Sequence, residues 1–210
     1  MVHGNHGASR RSPDSDTLNL LKDRCAAIQR INTGLLMTKM PLSLAGRNGG
    51  EMNAKRKSSA QKVQEALNAH NLACEVVQMK DTTRSAADAA RAVGCEIGQI
   101  VKSLVFEGQK SHQPILVATS GANRVNEKAV QQSVAEPVKI AKPEYVRQMT
   151  GFAIGGVPPV GHERPLKIFI DEDLLQYVEI WAAAGTPHAV FKLTPDDLKM
   201  ITNGTVISVK

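Results

Sequence analysis

The pattern of hydrophobic and polar positions after residue 57 predicts a succession of short helices and strands. Helices are predicted in residues 58–71, 85–93, 126–133, 143–149 and 194–201. Short apolar runs rich in β-branched residues predict strands at residues 74–79, 100–106, 114–119, 166–170, 178–182, 189–193 and 205–209. Because these elements follow one another without a regular alternation of strand and helix, we expect an α+β fold around a mixed sheet.

Local signals mark several of the predicted boundaries. Ser85 stands three residues before Asp88, as at the start of a helix, and Gly94 is placed to end the same helix. Pro143 suits the first turn of another helix. The polar residues 107–113 separate two strand-like runs, so a hairpin is the simplest connection between them.

The first 57 residues differ from the rest in composition. All seven aromatic residues lie after residue 100, and the first fifty residues are rich in Gly, Ser, Asn and Arg. Such a stretch offers little apolar surface for a core. We therefore expect residues 1–57 to be a mostly disordered extension and residues 58–210 to form the folded domain. Met52 offers an alternative start of the functional chain.

The extension also carries the net charge. Residues 1–57 contain ten Lys and Arg against four Asp and Glu, a net +6, whereas residues 58–210 contain sixteen of each. A nucleic-acid contact of the folded part therefore has to rest on a local basic surface. One candidate is the segment 100–150, where seven basic residues stand against four acidic ones and include Lys102, Arg124 and Lys128.

Cysteine content and hydropathy narrow the class of protein. The three cysteines form no C-x-x-C pair, which favours free thiols in a reducing cytoplasm over a zinc site or a disulfide framework. No run approaches the roughly 18 apolar residues of a membrane span, and residues 1–12 lack the apolar core of a secretory signal. We expect a cytoplasmic protein without a membrane partner and without a metal or other cofactor.

Lys102 is the first residue that suggests chemistry. In the predicted strand 100–106 it shares one face with Ile100, Leu104 and Phe106. Either its stem packs along the sheet edge with the charge in solvent, or its ammonium group lies at the wall of a pocket. In the second arrangement the charge would meet a phosphate group or a carbonyl oxygen.

Two stretches rich in small residues follow Lys102 in the chain. Residues 152–162 combine flexible glycines with stiff prolines, which suits a loop whose backbone groups grip a ligand. Residues 182–188 run through three alanines to a Gly-Thr-Pro-His sequence and suit the floor of a narrow pocket. If the two stretches face one another across a pocket, only a small group fits. Each stretch is equally compatible with an ordinary turn.

The usual nucleophile and metal patterns are absent from the sequence. Neither Ser103 nor Ser120 sits in a G-x-S-x-G elbow, and His162, His188 and Asp171 match no zinc-ligand spacing. With no activated nucleophile visible, catalysis would come from positioning and electrostatics rather than from a covalent intermediate.

The order of these motifs resembles the YbaK/ProX family of freestanding aminoacyl-tRNA editing domains, which is related to the domain inserted in bacterial prolyl-tRNA synthetases. The resemblance rests on I-V-K-S-L-V-F at 100–106, T-S-G at 119–121, G-F-A-I-G-G-V-P-P-V-G-H at 151–162 and A-A-G-T-P-H at 183–188. It covers nearly all of residues 58–210 and implies a mixed, barrel-like sheet flanked by helices.

The resemblance implies a metal-independent hydrolase that removes a wrongly attached small amino acid from tRNA, such as tRNA for proline. The family lysine, which engages the terminal adenosine or its phosphate, matches Lys102. The family G-x-x-x-P loop, whose backbone positions the aminoacyl group, matches residues 155–159. In the family, hydrolysis is attributed to an ordered water assisted by the 2′-hydroxyl of the tRNA. Ser103 and Thr186 do not distinguish the cysteine-specific from the alanine-specific branch.

This resemblance assigns candidate roles to single residues. The catalytic candidates are Lys102, Gly155 and His162. The candidates for substrate binding are Gly156, Val157, Pro158, Pro159, Gly185, Thr186, His188 and Ser120. The candidates for tRNA contact are Lys102, Arg124 and Lys128, and an aminoacyl-tRNA synthetase is a further candidate partner. Two alternatives stay open: a module that binds the tRNA acceptor end or aminoacyl-adenosine without hydrolysis, and an adaptor that works through its basic extension.

Overall fold

A computed structural model describes residues 57–80 and 82–210 of the chain. The helices of this part are α1 (Ser59–Ala69), α2 (Ala86–Val93), α3 (Glu127–Val134), α4 (Pro143–Thr150) and α5 (Pro195–Thr202). Its strands are β1 (Val76–Gln78), β2 (Ile100–Gly108), β3 (Pro114–Ser120), β4 (Val138–Ile140), β5 (Lys167–Asp171), β6 (Ile180–Ala183), β7 (Ala189–Leu193) and β8 (Thr205–Ile207). The extension predicted for residues 1–57 lies outside the described residues, apart from Lys57.

Side-chain caps fix the ends of the first two helices. The Ser58 hydroxyl accepts a hydrogen bond from the Gln61 amide at 3.2 Å, and the Gln61 side chain accepts one from the Ser58 amide at 2.9 Å. The Ser85 hydroxyl accepts a hydrogen bond from the Asp88 amide at 3.1 Å and so caps α2. Gly94 ends α2 with a left-handed φ of 73°, as its position in the sequence predicts.

The described strands join one mixed sheet. The path through hydrogen-bonded neighbours is β1-β7-β6-β2-β3-β5-β8, and β4 pairs with β2. β2 and β3 form the predicted antiparallel hairpin, in which Lys102 lies opposite Thr119. β6 runs parallel to β2, β5 runs parallel to β3, and β8 runs parallel to β5. The predicted α+β fold with a mixed sheet is therefore confirmed.

Strand β4 is not predicted by the sequence pattern. It has three residues, of which only Val138 is buried, and the Ile140 side chain is 55% exposed. Such a short segment carries no measurable alternation of apolar and polar positions. Its extended conformation follows from pairing with Phe106, Glu107 and Gly108 at the end of β2.

Apolar side chains pack on both faces of the sheet. Val101 and Val105 of β2 belong to the main core, which also receives Val63 and Leu67 from α1. On the opposite face, Phe106 of β2 packs in a second cluster that is completed by residues of β3, β5 and α3. Lys102 lies on this second face, as the alternation along the strand predicts.

Candidate active site

The site lies beside an interrupted edge of β2. One edge of β2 pairs with β3 over residues 101–107. The other edge pairs with β6 only at Ile100 and Val101, and with β4 only from Phe106 onward. No described strand therefore pairs with residues 102–105 on this edge, and a cavity occupies the gap.

The cavity has a volume of about 290 Å³. Four parts of the chain meet there: the start of α2 with its preceding loop, the gap in β2, the glycine-rich loop formed by residues 152–162, and strands β6 and β7. The lining residues are Thr83, Arg84, Ser85, Ala86, Ala89, Val93, Ile100, Val101, Lys102, Ser103, Leu104, Ile154, Gly155, Val157, Trp181, Ala182, Ala183 and Val190. Of the predicted site residues, Lys102, Gly155 and Val157 are brought together at this cavity.

Lys102 is half-buried at the cavity wall, with its charge held by the backbone. Its Nζ donates a hydrogen bond to the carbonyl oxygen of Asn123 at 2.5 Å. Burial lowers the pKa of Lys102 below its ordinary value, the negative charge of Asp171 raises it, and the positive charge of Arg124 lowers it further. An ammonium group has three donors, so this bond leaves donors for a ligand.

Ser103 presents polar groups to the same gap. At the two ends of β2, the Ile100 carbonyl accepts a hydrogen bond from the Gly121 amide at 2.7 Å, and the Gly108 amide donates one to the Gln113 carbonyl at 3.0 Å. The backbone groups of the even-numbered residues of β2 are therefore directed toward β3. The N–H and C=O of Ser103 are therefore directed to the opposite edge, into the gap. The Ser103 hydroxyl is also buried and has no hydrogen-bond partner among the described residues. A ligand in the cavity would meet the N–H and C=O groups of Ser103.

The glycine-rich loop reaches the cavity through a tight turn. The Gly156 amide donates to the Ala153 carbonyl at 3.1 Å, and Gly155 between them has a φ of 87°, which glycine adopts without strain. A Cβ atom added at Gly156 would lie 2.7 Å from the Thr186 Cα, so only glycine permits this approach. The two small-residue stretches therefore pack directly against one another at Gly156 and Thr186.

His162 lies outside the cavity and supports the glycine-rich loop. Its Nε2 is 2.8 Å from the Pro158 carbonyl oxygen, and its ring packs edge-on against Phe152 at 6.3 Å. It lines a separate depression together with Pro159 and His70. Desolvation lowers the pKa of His162, and the bond to Pro158 partly offsets this effect. Pro158 and Pro159 are themselves buried.

Residues 182–188 also depart from the arrangement expected from the sequence. Gly185 faces α1, because a Cβ atom added there would lie 2.7 Å from the Ser59 carbonyl oxygen. His188 is exposed, and its carbonyl oxygen accepts from the Met79 amide at 2.7 Å. Gly185, Thr186 and His188 are not among the described residues that line the cavity. Ala182 and Ala183, just before them, form this wall instead.

The remaining predicted residues surround the turn after β3. The hydroxyl of Ser120 is buried and donates to the Gly98 carbonyl oxygen at 2.8 Å, so it holds the turn rather than facing the cavity. Arg124 and Lys128 are exposed on the surface beyond this turn. They remain available to a large ligand that approaches Lys102 from this side.

Two features of the site escape the sequence pattern. Arg84 lies at the cavity mouth beside Gly155, where an added Cβ would be 3.5 Å from its Cγ. The Thr83 hydroxyl and amide fix this loop by donating to the Pro187 carbonyl oxygen at 2.9 and 2.6 Å. The second feature is the buried carboxylate of Asp171, the last residue of β5, which directly follows three apolar residues. A charge that directly ends an apolar run is the one signal that points to Asp171 in the sequence.

Membrane-spanning helices and metal-binding clusters are both absent from the described residues. No helix in residues 57–80 or 82–210 has the length and apolar character needed to cross a bilayer. The same residues contain no group of three or more His, Cys, Asp or Glu side chains arranged to hold a metal ion.

Comparison with known proteins gives a consistent result. Residues 80–201 match the model of the aminoacyl-tRNA editing domain family. A solved structure described as "a putative trans-editing enzyme for prolyl tRNA synthetase" is 49% identical, with a TM-score of 0.70, and the match covers 73% of this chain and 98% of that one.

Curated relatives are more distant. The chain is 28% identical over 120 residues to the "Putative Cys-tRNA(Pro)/Cys-tRNA(Cys) deacylase EbsC" of Enterococcus faecalis, which covers 57% of this chain and 73% of that protein. It is 27% identical over 124 residues to YwhH of Bacillus subtilis, an uncharacterized protein, with coverage of 59% and 78%. Since the family model spans more than half of the chain and the match extends over the cavity, the chain belongs to the aminoacyl-tRNA editing domain family, whose members hydrolyse the ester bond of mischarged aminoacyl-tRNA.

Proposed function

We propose that this protein hydrolyses the ester bond between a small amino acid and the 3′ end of tRNA, with tRNA for proline as the first candidate. The observation that carries the proposal is the small cavity that contains a half-buried lysine at the interrupted edge of β2. The family assignment supports the reaction class. Two relatives are described in terms of prolyl-tRNA synthetase and Cys-tRNA(Pro), which supports the choice of tRNA.

Lys102 is the group that we assign to the 3′ end of the tRNA. Its ammonium group is fixed by Asn123 O, and a phosphate or the ester carbonyl oxygen would take its remaining donors. In a half-buried position a charge-assisted hydrogen bond is stronger than in water. A bound anion would also favour the protonated lysine and so oppose the lowering of its pKa by burial.

The reaction itself needs no protein nucleophile. Water adds to the ester carbonyl carbon, the carbon–oxygen bond to the terminal ribose breaks, and the products are the free amino acid and tRNA with its 3′-hydroxyl restored. Neither the Ser120 hydroxyl, which is bonded to Gly98 O, nor His162 faces the cavity. The Ser103 hydroxyl is buried and has no hydrogen-bond partner among the described residues, so no base is in place to activate it. We therefore assign catalysis to the positioning of the ester by the β2 edge and residues 155–157, and to the charge of Lys102.

The cavity walls set the size of the aminoacyl group. Val157, Ala182 and Ala183 line it, and the backbone N–H and C=O of Ser103 offer polar contacts at the open edge of β2. Alanine, serine and cysteine suit such a space. Differences of a methylene or hydroxyl group there are worth about 1–3 kcal/mol, so the tRNA supplies part of the specificity.

Basic residues around the mouth suit the tRNA backbone. Arg84 stands beside Gly155, and Arg124 and Lys128 are exposed beyond the Lys102 side of the site. Phosphate contacts of this kind position a nucleic acid without reading its sequence. We further propose that the protein acts in the cytoplasm, where aminoacyl-tRNA is made, and that a synthetase is a partner in substrate selection.

The test is deacylation of tRNA for proline charged with alanine, cysteine, serine or proline. We expect hydrolysis of at least one of the three small mischarged amino acids and sparing of proline. Lys102→Ala should lower kcat/KM about 10²-fold or more, as loss of an electrostatic contact does. Lys192→Ala, at an exposed lysine on β7, is the matched control and should retain the wild-type rate.

Two outcomes would contradict the proposal. The first is a folded Lys102→Ala protein with wild-type turnover, which would remove the lysine from the mechanism. The second is tight binding of every charged tRNA without any hydrolysis, which would favour the alternative of a non-catalytic binding module.

A further inference from the structure

We infer that Asp171, acting through Asn123, positions the ammonium group of Lys102 in the deacylation site. The inference rests on the role proposed above for Lys102. It assigns a task to a buried carboxylate that takes no direct part in the reaction.

The three side chains Lys102, Thr119 and Asp171 form one row across neighbouring strands. Lys102 of β2 lies opposite Thr119 of β3, and Ala118 pairs with Ile170 in the parallel register of β3 and β5. Partners in register project from the same face of a sheet. Asp171 is therefore on the face of Lys102, with Thr119 between them, and both Thr119 and Asp171 are fully buried.

Asp171 organises the turn that follows β3. Its Oδ2 accepts hydrogen bonds from the Thr119 hydroxyl at 2.9 Å, the Ser120 amide at 3.0 Å and the Asn123 side-chain amide at 2.8 Å. Its Oδ1 accepts from the Asp173 amide at 3.1 Å. These bonds fix residues 120–123, and the carbonyl oxygen of Asn123 in this turn is the acceptor for Lys102 Nζ.

The charge of Asp171 is not consumed in an ion pair. None of the ion pairs among the described residues includes it, whereas its neighbour Asp173 pairs with Lys210 at 2.7 Å. Four hydrogen bonds from neutral donors stabilise the buried carboxylate of Asp171 in the absence of a paired cation. The titratable groups that act on Lys102 are Asp171, which favours its protonated form, and Arg124, which opposes it.

Asp171 is accordingly a positioning residue with two effects on Lys102. Through Asn123 it holds the acceptor that directs the ammonium group. Through space its negative charge partly offsets the effects of burial and of Arg124, and so favours the protonated lysine.

The experiment measures the titration of Lys102 and the pH profile of kcat/KM in the full-length protein. The ¹³Cε resonance of Lys102 gives its pKa without any substrate. In Asp171→Asn, which keeps the shape of the side chain, we expect the pKa of Lys102 to fall and the basic limb of the profile to move to lower pH. We expect kcat/KM near neutral pH to fall about 10-fold to 10²-fold. Glu107→Gln, a neutralised carboxylate farther along β2, should change neither readout.

A second variant separates position from charge and guards against a folding defect. Asn123→Ala removes the side-chain amide, which donates to Asp171 Oδ2 and to Asp173 Oδ2 at 2.8 Å each, at a partly exposed residue but leaves the Asp171 carboxylate. We expect lower kcat/KM with a smaller change in the pKa of Lys102 than Asp171→Asn causes. A folded Asp171→Asn protein with the wild-type lysine pKa and profile, or Asn123→Ala with wild-type kcat/KM, would overturn the inference. If the inference is overturned in this way but Lys102→Ala is inactive in the same assays, the proposed function still stands.

Discussion

Ala183 and Gly185 stand two residues apart at the end of β6 but meet different neighbours. Ala183 lines the cavity, whereas Gly185 has a φ of 88° and no room for a side chain against α1. A bulky substitution at Gly185 therefore strains the backbone instead of filling the substrate pocket. The size of the pocket has to be tested at Ala183.

We predict that Ala183→Val narrows the choice of substrate. Because the added methyl groups enter the cavity, kcat/KM should fall about 10-fold or more for serine and cysteine esters and less for the alanine ester. Gly185→Ala is the contrasting variant: it should lower stability and reduce activity on all substrates by a similar factor. Equal losses on all esters in a stable Ala183→Val protein would contradict the small-pocket model.

His162 should make the stability of the protein depend on pH, because burial lowers its pKa in the folded protein. In the unfolded chain its pKa is about 6.5, so below that pH the unfolded state binds the proton more readily. The contribution to stability is thus complete above about pH 6.5 and is lost as the pH falls through the folded pKa.

The unfolding free energy of the wild type should fall between pH 7 and pH 5. We therefore expect a smaller fall in His162→Gln, as measured by urea titration. His70→Gln, at the exposed end of α1, is the control and should keep the wild-type dependence. A steeper pH dependence in His162→Gln than in the wild type would show that the pKa shift has the opposite sign.

Among the helices, α2 and α3 both end in a left-handed residue, but the residue types differ. Gly94 ends α2 with a φ of 73°, and a Cβ added there meets no atom within 4 Å. Ala135 ends α3 with a φ of 61°, although it carries a Cβ. The left-handed conformation costs a residue with a Cβ about 1–2 kcal/mol, so the two positions differ in strain rather than in contacts.

Gly94→Ala and Ala135→Gly should consequently change stability in opposite directions. We expect the unfolding free energy to fall by about 1 kcal/mol in the first and to rise by up to about 1 kcal/mol in the second. Urea denaturation of both variants beside the wild type measures the difference. A gain in Gly94→Ala or a loss in Ala135→Gly would mean that contacts, not backbone strain, dominate at these ends.

At the scale of the whole molecule, the basic extension and the neutral domain are predicted to have separate tasks. Removal of residues 1–57 should leave a folded, active deacylase, because those residues contain no aromatic side chain and little apolar periodicity. The net +6 of the extension should add affinity for any tRNA.

The full-length and truncated proteins should therefore differ in tRNA affinity at low salt and converge as salt increases, since phosphate contacts weaken by counterion release. Filter binding with correctly charged and uncharged tRNA across a salt series checks this. A truncated protein that does not fold would assign the extension to the core, and a difference that persists at high salt would indicate a specific contact.

Features that depend on neighbours along the chain could be predicted from the amino-acid sequence. The cap at Ser85, the left-handed end at Gly94 and the hairpin of β2 and β3 follow from local backbone chemistry. The face of Lys102 follows from the period of two in a strand. The order of the motifs also indicated the family that the comparisons confirm.

Which of those residues share a site depends on contacts between distant segments and could not be predicted from local patterns. The parallel registers of β2 with β6 and of β3 with β5 join distant segments, and no local periodicity encodes them. They place Asp171 in the row of Lys102 and open the gap at Ser103. Close backbone packing likewise turns Gly185 toward α1 and His162 toward Pro158, because the space around a glycine or an imidazole ring depends on segments far away in the chain.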